Sequence, residues 1–73
     1  MSALRIRLGK AIRRLRETAG YSQEELAHRA KIHRTTMSEV ERGLSNVSID
    51  MAERIAKGIG VSLAKLFEEA ERG

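Results

Sequence analysis

The fold is decided between residues 22 and 43, where the chain reads SQEELAHRAKIHRTTMSEVERG. Ser22 and Glu25 match a capping box, in which the serine hydroxyl accepts a hydrogen bond from the N–H of Glu25 and the carboxylate accepts one from the N–H of Ser22. A helix therefore begins at Gln23, and it carries apolar residues at helical spacing: Leu26, Ala27 and Ala30. The two residues after Ala30 leave room for only a brief turn before a second helix.

This second helix has an inward and an outward face. Its inward anchors are Ile32, Met37 and Val40, and Gly43 is a natural residue to end it. With about 100° of rotation per residue and Val40 taken as the inward direction, the opposite face carries Arg34, Thr35, Ser38 and Arg42. These side chains face solvent or a ligand, which is the layout of a DNA-reading helix-turn-helix.

Hydrophobic periodicity and turn residues divide the whole chain into five helices. The predicted bounds are about Ala3 to Ala19, Gln23 to Ala30, Arg34 to Arg42, Ile49 to Ile59 and Leu63 to Glu71. The apolar stripe of the first helix is formed by Leu4, Leu8, Ile12, Leu15 and Ala19. Ser48 and Ser62 are expected to cap the last two helices. No proline or low-complexity segment interrupts the sequence, so we expect a single compact all-α domain over residues 1–73.

Composition narrows the class of protein further. The 73 residues include no cysteine, which excludes disulfides and thiolate metal sites. No stretch has the length and apolarity of a membrane span or a signal sequence, so the prediction is a cytoplasmic protein. The net charge of +4 is concentrated in residues 1–20, which hold six cations and one anion. A basic segment beside a helix-turn-helix is typical of proteins that lie on DNA phosphates, although it is equally typical of an ordinary solvated helix face.

The chain as a whole resembles the lambda-repressor/Cro-type helix-turn-helix domain, also called XRE. The residues that carry the resemblance are Gln23, Glu25-Leu26-Ala27, Ile32, Met37, Val40, Glu41-Arg42-Gly43, Ser48-Ile49 and the run from Ile55 to Phe67. Within this family, residues 34–43 are most similar to the controller proteins of restriction–modification systems. Two positions depart from the pattern: Lys31 replaces a turn glycine, and Thr36 stands where controller proteins often have tyrosine. The resemblance implies a homodimeric regulator of transcription that binds a pseudo-palindromic operator.

Arg34, Thr35 and Ser38 are the predicted base-contacting residues. An arginine can hold guanine O6 and N7 with two hydrogen bonds, and a threonine can offer a methyl group to thymine. The predicted backbone contacts, several of which rest on the family resemblance, are Gln23, His33, Thr36, Arg42, Ser45 and Asn46. Turn formation is an equally good interpretation of Ser45 and Asn46.

The resemblance also implies an ion pair between Arg16 and Glu41 that holds the first helix against the third. The last two helices carry more apolar surface than a small core requires. A dimerisation region is therefore expected over about residues 47–70, with Ile49, Leu63 and Phe67 at its centre.

Other functions are weaker interpretations of this sequence. His28 and His33 are too few for a metal site, no catalytic motif is present, and neither a cofactor nor a small-molecule ligand is indicated. A membrane-surface helix over residues 3–19 would lack aromatic anchors, so no membrane partner is expected. The main alternative is a protein-interaction module such as the antitoxin of a toxin–antitoxin pair.

Overall fold

The computed structural model describes residues 3–72, and five α-helices form its framework. They are α1 (Ala3–Ala19), α2 (Gln23–Ala30), α3 (Arg34–Glu41), α4 (Ile49–Ile59) and α5 (Leu63–Arg72). The predicted all-α, five-helix fold is confirmed, with two boundary corrections. The third helix ends at Glu41 rather than Arg42, whose N–H bonds to carbonyls of the last turn, and the fifth extends to Arg72.

The helix starts have the hydrogen bonds that the sequence predicts. Ser22 and Glu25 form both halves of the capping box: the N–H of Glu25 donates to Ser22 Oγ at 3.0 Å, and the N–H of Ser22 donates to Glu25 Oε1 at 2.9 Å. Ser48 and Ser62 cap α4 and α5, and each hydroxyl accepts from the N–H three residues later at 3.0 Å. The starts of α2, α4 and α5 are therefore set by local sequence.

The turn between α2 and α3 has an unusual backbone at Lys31. Its φ of 60° and ψ of 45° place it in the left-handed region. This conformation favours glycine, the residue that many family members have at this position. A side chain in this conformation costs roughly 1 kcal/mol. The next N–H, of Ile32, donates to the carbonyl of Ala27 at 3.0 Å and closes the helix end. The turn is therefore short and fixed, so α2 sets the position of α3.

The core lies between two sets of helices. α1 packs against α5 and α3, while α2 packs against α3 and α4. The largest fully buried side chains are Ile12, Leu26, Met37, Val40, Ile55 and Leu66. Leu4 and Ala19, at the two ends of the predicted α1 stripe, are exposed. None of the helices within residues 3–72 has both the length and the apolar character needed to cross a bilayer.

Two glycines allow helices to approach closely. A Cβ built at Gly9 would lie 2.7 Å from the carbonyl oxygen of Glu41 and would overlap that of Val40, so the α1 backbone rests on the last turn of α3. A Cβ at Gly58 would lie 3.0 Å from Leu26 Cδ1, where α4 crosses α2.

Candidate nucleic-acid interface

The outward side of α3 forms one wall of a shallow polar depression. Its lining residues are Gln23, Arg34, Thr35, Ser38 and Arg42. The depression has a volume of about 370 Å³. All five residues were predicted from the sequence to contact DNA, and the fold brings them together on one surface; hereafter we call this surface the reading depression.

Gln23 connects the reading depression to the protein interior. It is the first residue of α2, and its side-chain Nε2 donates to Glu41 Oε1 at 3.1 Å. One of the two N–H groups of the amide is thus used inside the protein, which leaves the other N–H and the side-chain oxygen for further hydrogen bonds. N–H groups in the first turn of a helix lack intrahelical acceptors and attract anions. This geometry suits a DNA phosphate at the start of α2, bound by backbone N–H groups and by the second amide N–H of Gln23.

Beneath the reading depression, Arg16 and Glu41 form the ion pair implied by the resemblance. Arg16 Nε lies 2.7 Å from Glu41 Oε2 and Nη2 lies 3.1 Å from Oε1, so the pair is bidentate. The side chains are only 11% and 3% exposed, and Arg16 Nη1 also donates to the carbonyl of Tyr21 at 2.9 Å. The hydrogen bond to Glu41 raises the pKa of Arg16 above its ordinary value despite desolvation. Together with Gln23, the pair joins α1, α2 and α3.

The two arginines of the reading depression rest against the protein itself. Arg34 Nη1 lies 3.7 Å from Glu24 Oε2, in an ion pair whose side chains are 68% and 76% exposed. Arg42 Nε donates to the carbonyl of Ser38 at 3.4 Å. Neither contact is buried, so both guanidinium groups are accessible to DNA. The acidic neighbour of Arg34 was not anticipated, because Glu24 and Arg34 lie on different helices.

The other predicted backbone contacts lie outside the lining of the reading depression. His33 is exposed at the N-cap of α3 without a side-chain capping bond, and Thr36 is half-buried. Ser45 Oγ donates to Glu39 Oε1 at 3.1 Å, and Asn46 Oδ1 accepts from Arg5 Nη1 at 2.9 Å. These bonds support the structural interpretation of the loop between α3 and α4, and contact with DNA remains a prediction for all four predicted residues.

The basic first helix is largely engaged in contacts within the protein. Arg13 pairs with Glu17 at 3.3 Å, and Arg14 pairs with Glu69 of α5 at 3.4 Å. With Arg16 bound to Glu41, at least half of the six cations in residues 1–20 face carboxylates. The expectation that this segment lies on phosphates is therefore weakened, because much of its charge stabilises the fold.

An apolar groove lies between the start of α1, the loop before α4, and α5. It has a volume of about 310 Å³ and is lined by Leu4, Arg5, Leu8, Asn46, Val47, Ser48, Ile49 and Phe67. Ile49 is 73% exposed, whereas Phe67 is half-buried against the core. Leu63 also packs partly against the core and is not part of the groove lining. Of the three predicted interface residues, Ile49 and Phe67 line the groove, and Leu63 lies one helical turn before Phe67 on α5 without lining it.

Comparison with known proteins gives a consistent result. A family model described as HTH_3, helix-turn-helix, matches residues 12–66. The control protein C.MunI from a Mycoplasma species is 37% identical over 73 residues, which covers 99% of each chain. The control protein C.BamHI from Bacillus amyloliquefaciens is 39% identical and covers 89% of this chain and 82% of its own length. The structure of the wild-type restriction–modification controller protein C.Esp1396I superposes with a TM-score of 0.92 at 33% identity, covering 99% of this chain and 95% of the other.

Proposed function

The chain belongs to the helix-turn-helix family of DNA-binding transcription regulators, and on that premise we propose that it is a controller-type regulator that binds a pseudo-palindromic operator as a homodimer. The observation that carries the proposal is the reading depression: Arg34, Thr35 and Ser38 stand on one open face of α3, next to the start of α2. A recognition helix presents its first turns to base edges in this way. None of the three relatives named above is described as an antitoxin, so the alternative function has no support from them.

Within this proposal, the depression separates two tasks. Arg34 would read a guanine through two hydrogen bonds in the major groove, while the start of α2 would hold a phosphate. The Arg16–Glu41 pair and Gln23 keep α2 and α3 in a fixed relation, so the phosphate contact sets the register in which the base contact is made. Specificity and affinity should then depend on different residues.

The apolar groove supports the proposed homodimer. Leu4 and Ile49 are large exposed apolar side chains at this groove, and a small aliphatic core gains stability when such surface is covered by a second copy. A two-fold dimer through α4 and α5 would present two α3 helices to successive major grooves, about 34 Å apart. The operator would accordingly consist of two related half-sites.

The experiment that tests the proposed function measures binding of Arg34→Ala to two duplexes at one fixed salt concentration. One duplex is the sequence recovered by in vitro selection with the unmodified protein, and the other is a scrambled version of it. Loss of a bidentate base contact should weaken selected-site binding by about 1–3 kcal/mol, with a much smaller change on scrambled DNA. Arg72→Ala is the control, because Arg72 is an exposed arginine on α5 whose ion pair with Glu69, at 3.5 Å, resembles that of Arg34.

Two results would contradict the proposal. In vitro selection that yields no consensus sequence would show that the protein does not read DNA bases. An unchanged ratio of selected-site to scrambled affinity in Arg34→Ala would show that this face of α3 is not the reader. Replacement of Gln23 by alanine should instead weaken binding to both duplexes alike, after correction for any loss of folded protein.

A further inference from the structure

Glu24 brings a carboxylate to the edge of the reading depression. Its Oε2 lies 3.7 Å from Nη1 of Arg34, longer than a normal hydrogen bond, and both side chains are mostly exposed. Exposed pairs of this kind contribute little to stability. The cap of α2 is formed by Ser22 and Glu25 and does not involve Glu24. The place of Glu24 in the first turn of α2 favours an acidic side chain through the helix dipole, but a first-turn carboxylate does not need to lie beside the arginine that would read DNA.

Resting on the function proposed above, we propose that Glu24 determines the specificity of Arg34 by disfavouring its contact with DNA phosphates. In the free protein the carboxylate lies beside the guanidinium at the start of α2. A phosphate that approaches Arg34 must either displace this carboxylate or come close to it, and two anions on one guanidinium repel each other. Non-specific binding, which depends on phosphate contacts, therefore becomes weaker.

Contact with guanine is penalised much less. The guanidinium has five N–H donors, and guanine N7 and O6 occupy only two of them. The base edge carries no net charge, so a donor of Arg34 can remain directed at Glu24 while two others bind guanine. Glu24 should thus lower the absolute affinity for any DNA while it raises the preference for the selected sequence over other sequences. This effect resembles specificity obtained through a repulsive element.

The test compares Glu24→Gln with the unmodified protein on the selected and scrambled duplexes. Glutamine keeps the size and polarity of the side chain and removes its charge. We expect binding to scrambled DNA to become about three- to fivefold tighter and binding to the selected site to change less than about twofold. The slope of log affinity against log salt on scrambled DNA should steepen by up to about one unit, since one more phosphate is neutralised.

Glu17→Gln is the matched control, because Glu17 is an exposed carboxylate on α1 that pairs with Arg13 at 3.3 Å. It removes the same charge and should leave the ratio of the two affinities unchanged. A second measurement introduces Glu24→Gln into the Arg34→Ala protein, where the change in ratio should disappear. An altered ratio that persists without Arg34 would overturn the inference, because Glu24 would then act by general repulsion.

The inference and the proposed function fail in different ways. If the unmodified protein selects a consensus and Glu24→Gln keeps the original ratio of affinities, the inference is wrong and the proposed function stands. If no consensus is selected, the proposed function fails and the inference fails with it. A fall in the ratio for Glu24→Gln, together with no change for Glu17→Gln, supports both.

Discussion

Glu41 is the residue on which the arrangement of the first three helices depends. Its carboxylate accepts two hydrogen bonds from Arg16 and one from Gln23, so a single side chain of α3 is bound to both α1 and α2. The Glu41 carboxylate is almost completely buried, and these three protein donors satisfy it in place of water. The ion pair could be expected from the family resemblance. The bond from Gln23 could not, because it depends on how the start of α2 is placed over the end of α3.

Arg16→Ala should destabilise the protein far more than Arg13→Ala. Removal of Arg16 leaves the Glu41 carboxylate buried with only part of its hydrogen bonds, which costs about 3 kcal/mol or more. Arg13 belongs to an exposed pair with Glu17, and its loss should cost less than about 1 kcal/mol. Unfolding by urea, followed by circular dichroism, measures both values. Equal unfolding free energies for the two variants would show that the buried pair does not hold the helices.

At the scale of single helices, the sequence predicts well where helices begin, because a capping hydrogen bond joins residues only three positions apart in the chain. The structure shows capping hydrogen bonds at all three serines predicted to start helices, which are Ser22, Ser48 and Ser62. The contacts between helices were less predictable. Gly9 lies within the predicted first helix, and only the fold shows that α3 backbone carbonyls occupy the space beside it.

The cap of α2 makes a pH-dependent contribution to stability. The hydrogen bond from the backbone N–H of Ser22 lowers the pKa of the Glu25 carboxyl below its ordinary value, and the Ser22 hydroxyl group lowers it further. Because the pKa is lower in the folded state than in the unfolded state, the ionised carboxylate stabilises the fold fully at a pH above the unfolded-state pKa of about 4.3. This stabilisation is lost as the pH falls through the folded-state pKa. Glu25→Ala should therefore melt at a lower temperature than the unmodified protein at pH 7, and the difference should narrow below about pH 4.

The control for the Glu25 prediction is Glu53→Ala, which removes an exposed carboxylate from α4. Its melting temperature relative to the unmodified protein should depend much less on pH across the same window. A difference for Glu25→Ala that stays constant from pH 7 to pH 3 would argue against a charge-dependent cap.

Alanine substitutions at Gly9 and Gly58 should have very different effects. At Gly9 a Cβ meets the backbone carbonyls of Val40 and Glu41, which cannot move without shifting α3, so Gly9→Ala should cost about 2–3 kcal/mol. At Gly58 the nearest atom is the flexible end of Leu26, and a gain of about 1 kcal/mol in helix propensity offsets the crowding. Thermal melts of the two variants measure the contrast. Similar melting temperatures would mean that α1 can move away from α3 at little cost.

At the scale of the whole molecule, the apolar groove gives the sharpest test of assembly. Ile49→Glu is preferable to a change at Phe67, because Ile49 is mostly exposed whereas Phe67 also packs against the core. A charge at Ile49 should shift the protein from dimer to folded monomer, as measured by analytical ultracentrifugation with circular dichroism as the check on folding. Leu44→Glu is the control, since Leu44 is exposed and lies outside the groove.

If Ile49→Glu remains fully dimeric at micromolar concentration, the apolar groove is not the interface. Dimerisation through this region was predicted because apolar residues fall outside the inner faces of α4 and α5. The sequence could not show that Leu4 of α1 lines the groove or that Leu63 does not, since both depend on how α1 crosses α5.

The contact of Gly9 with the carbonyl end of α3 also bears on how the protein moves. α3 has eight residues, too few to persist as a helix by itself in water, and it is held by α1 from behind at its last turn. The last turn of α3 can therefore open only when α1 moves away from it. The last turn of α3, at one side of the reading depression, is therefore expected to open together with α1 rather than by itself.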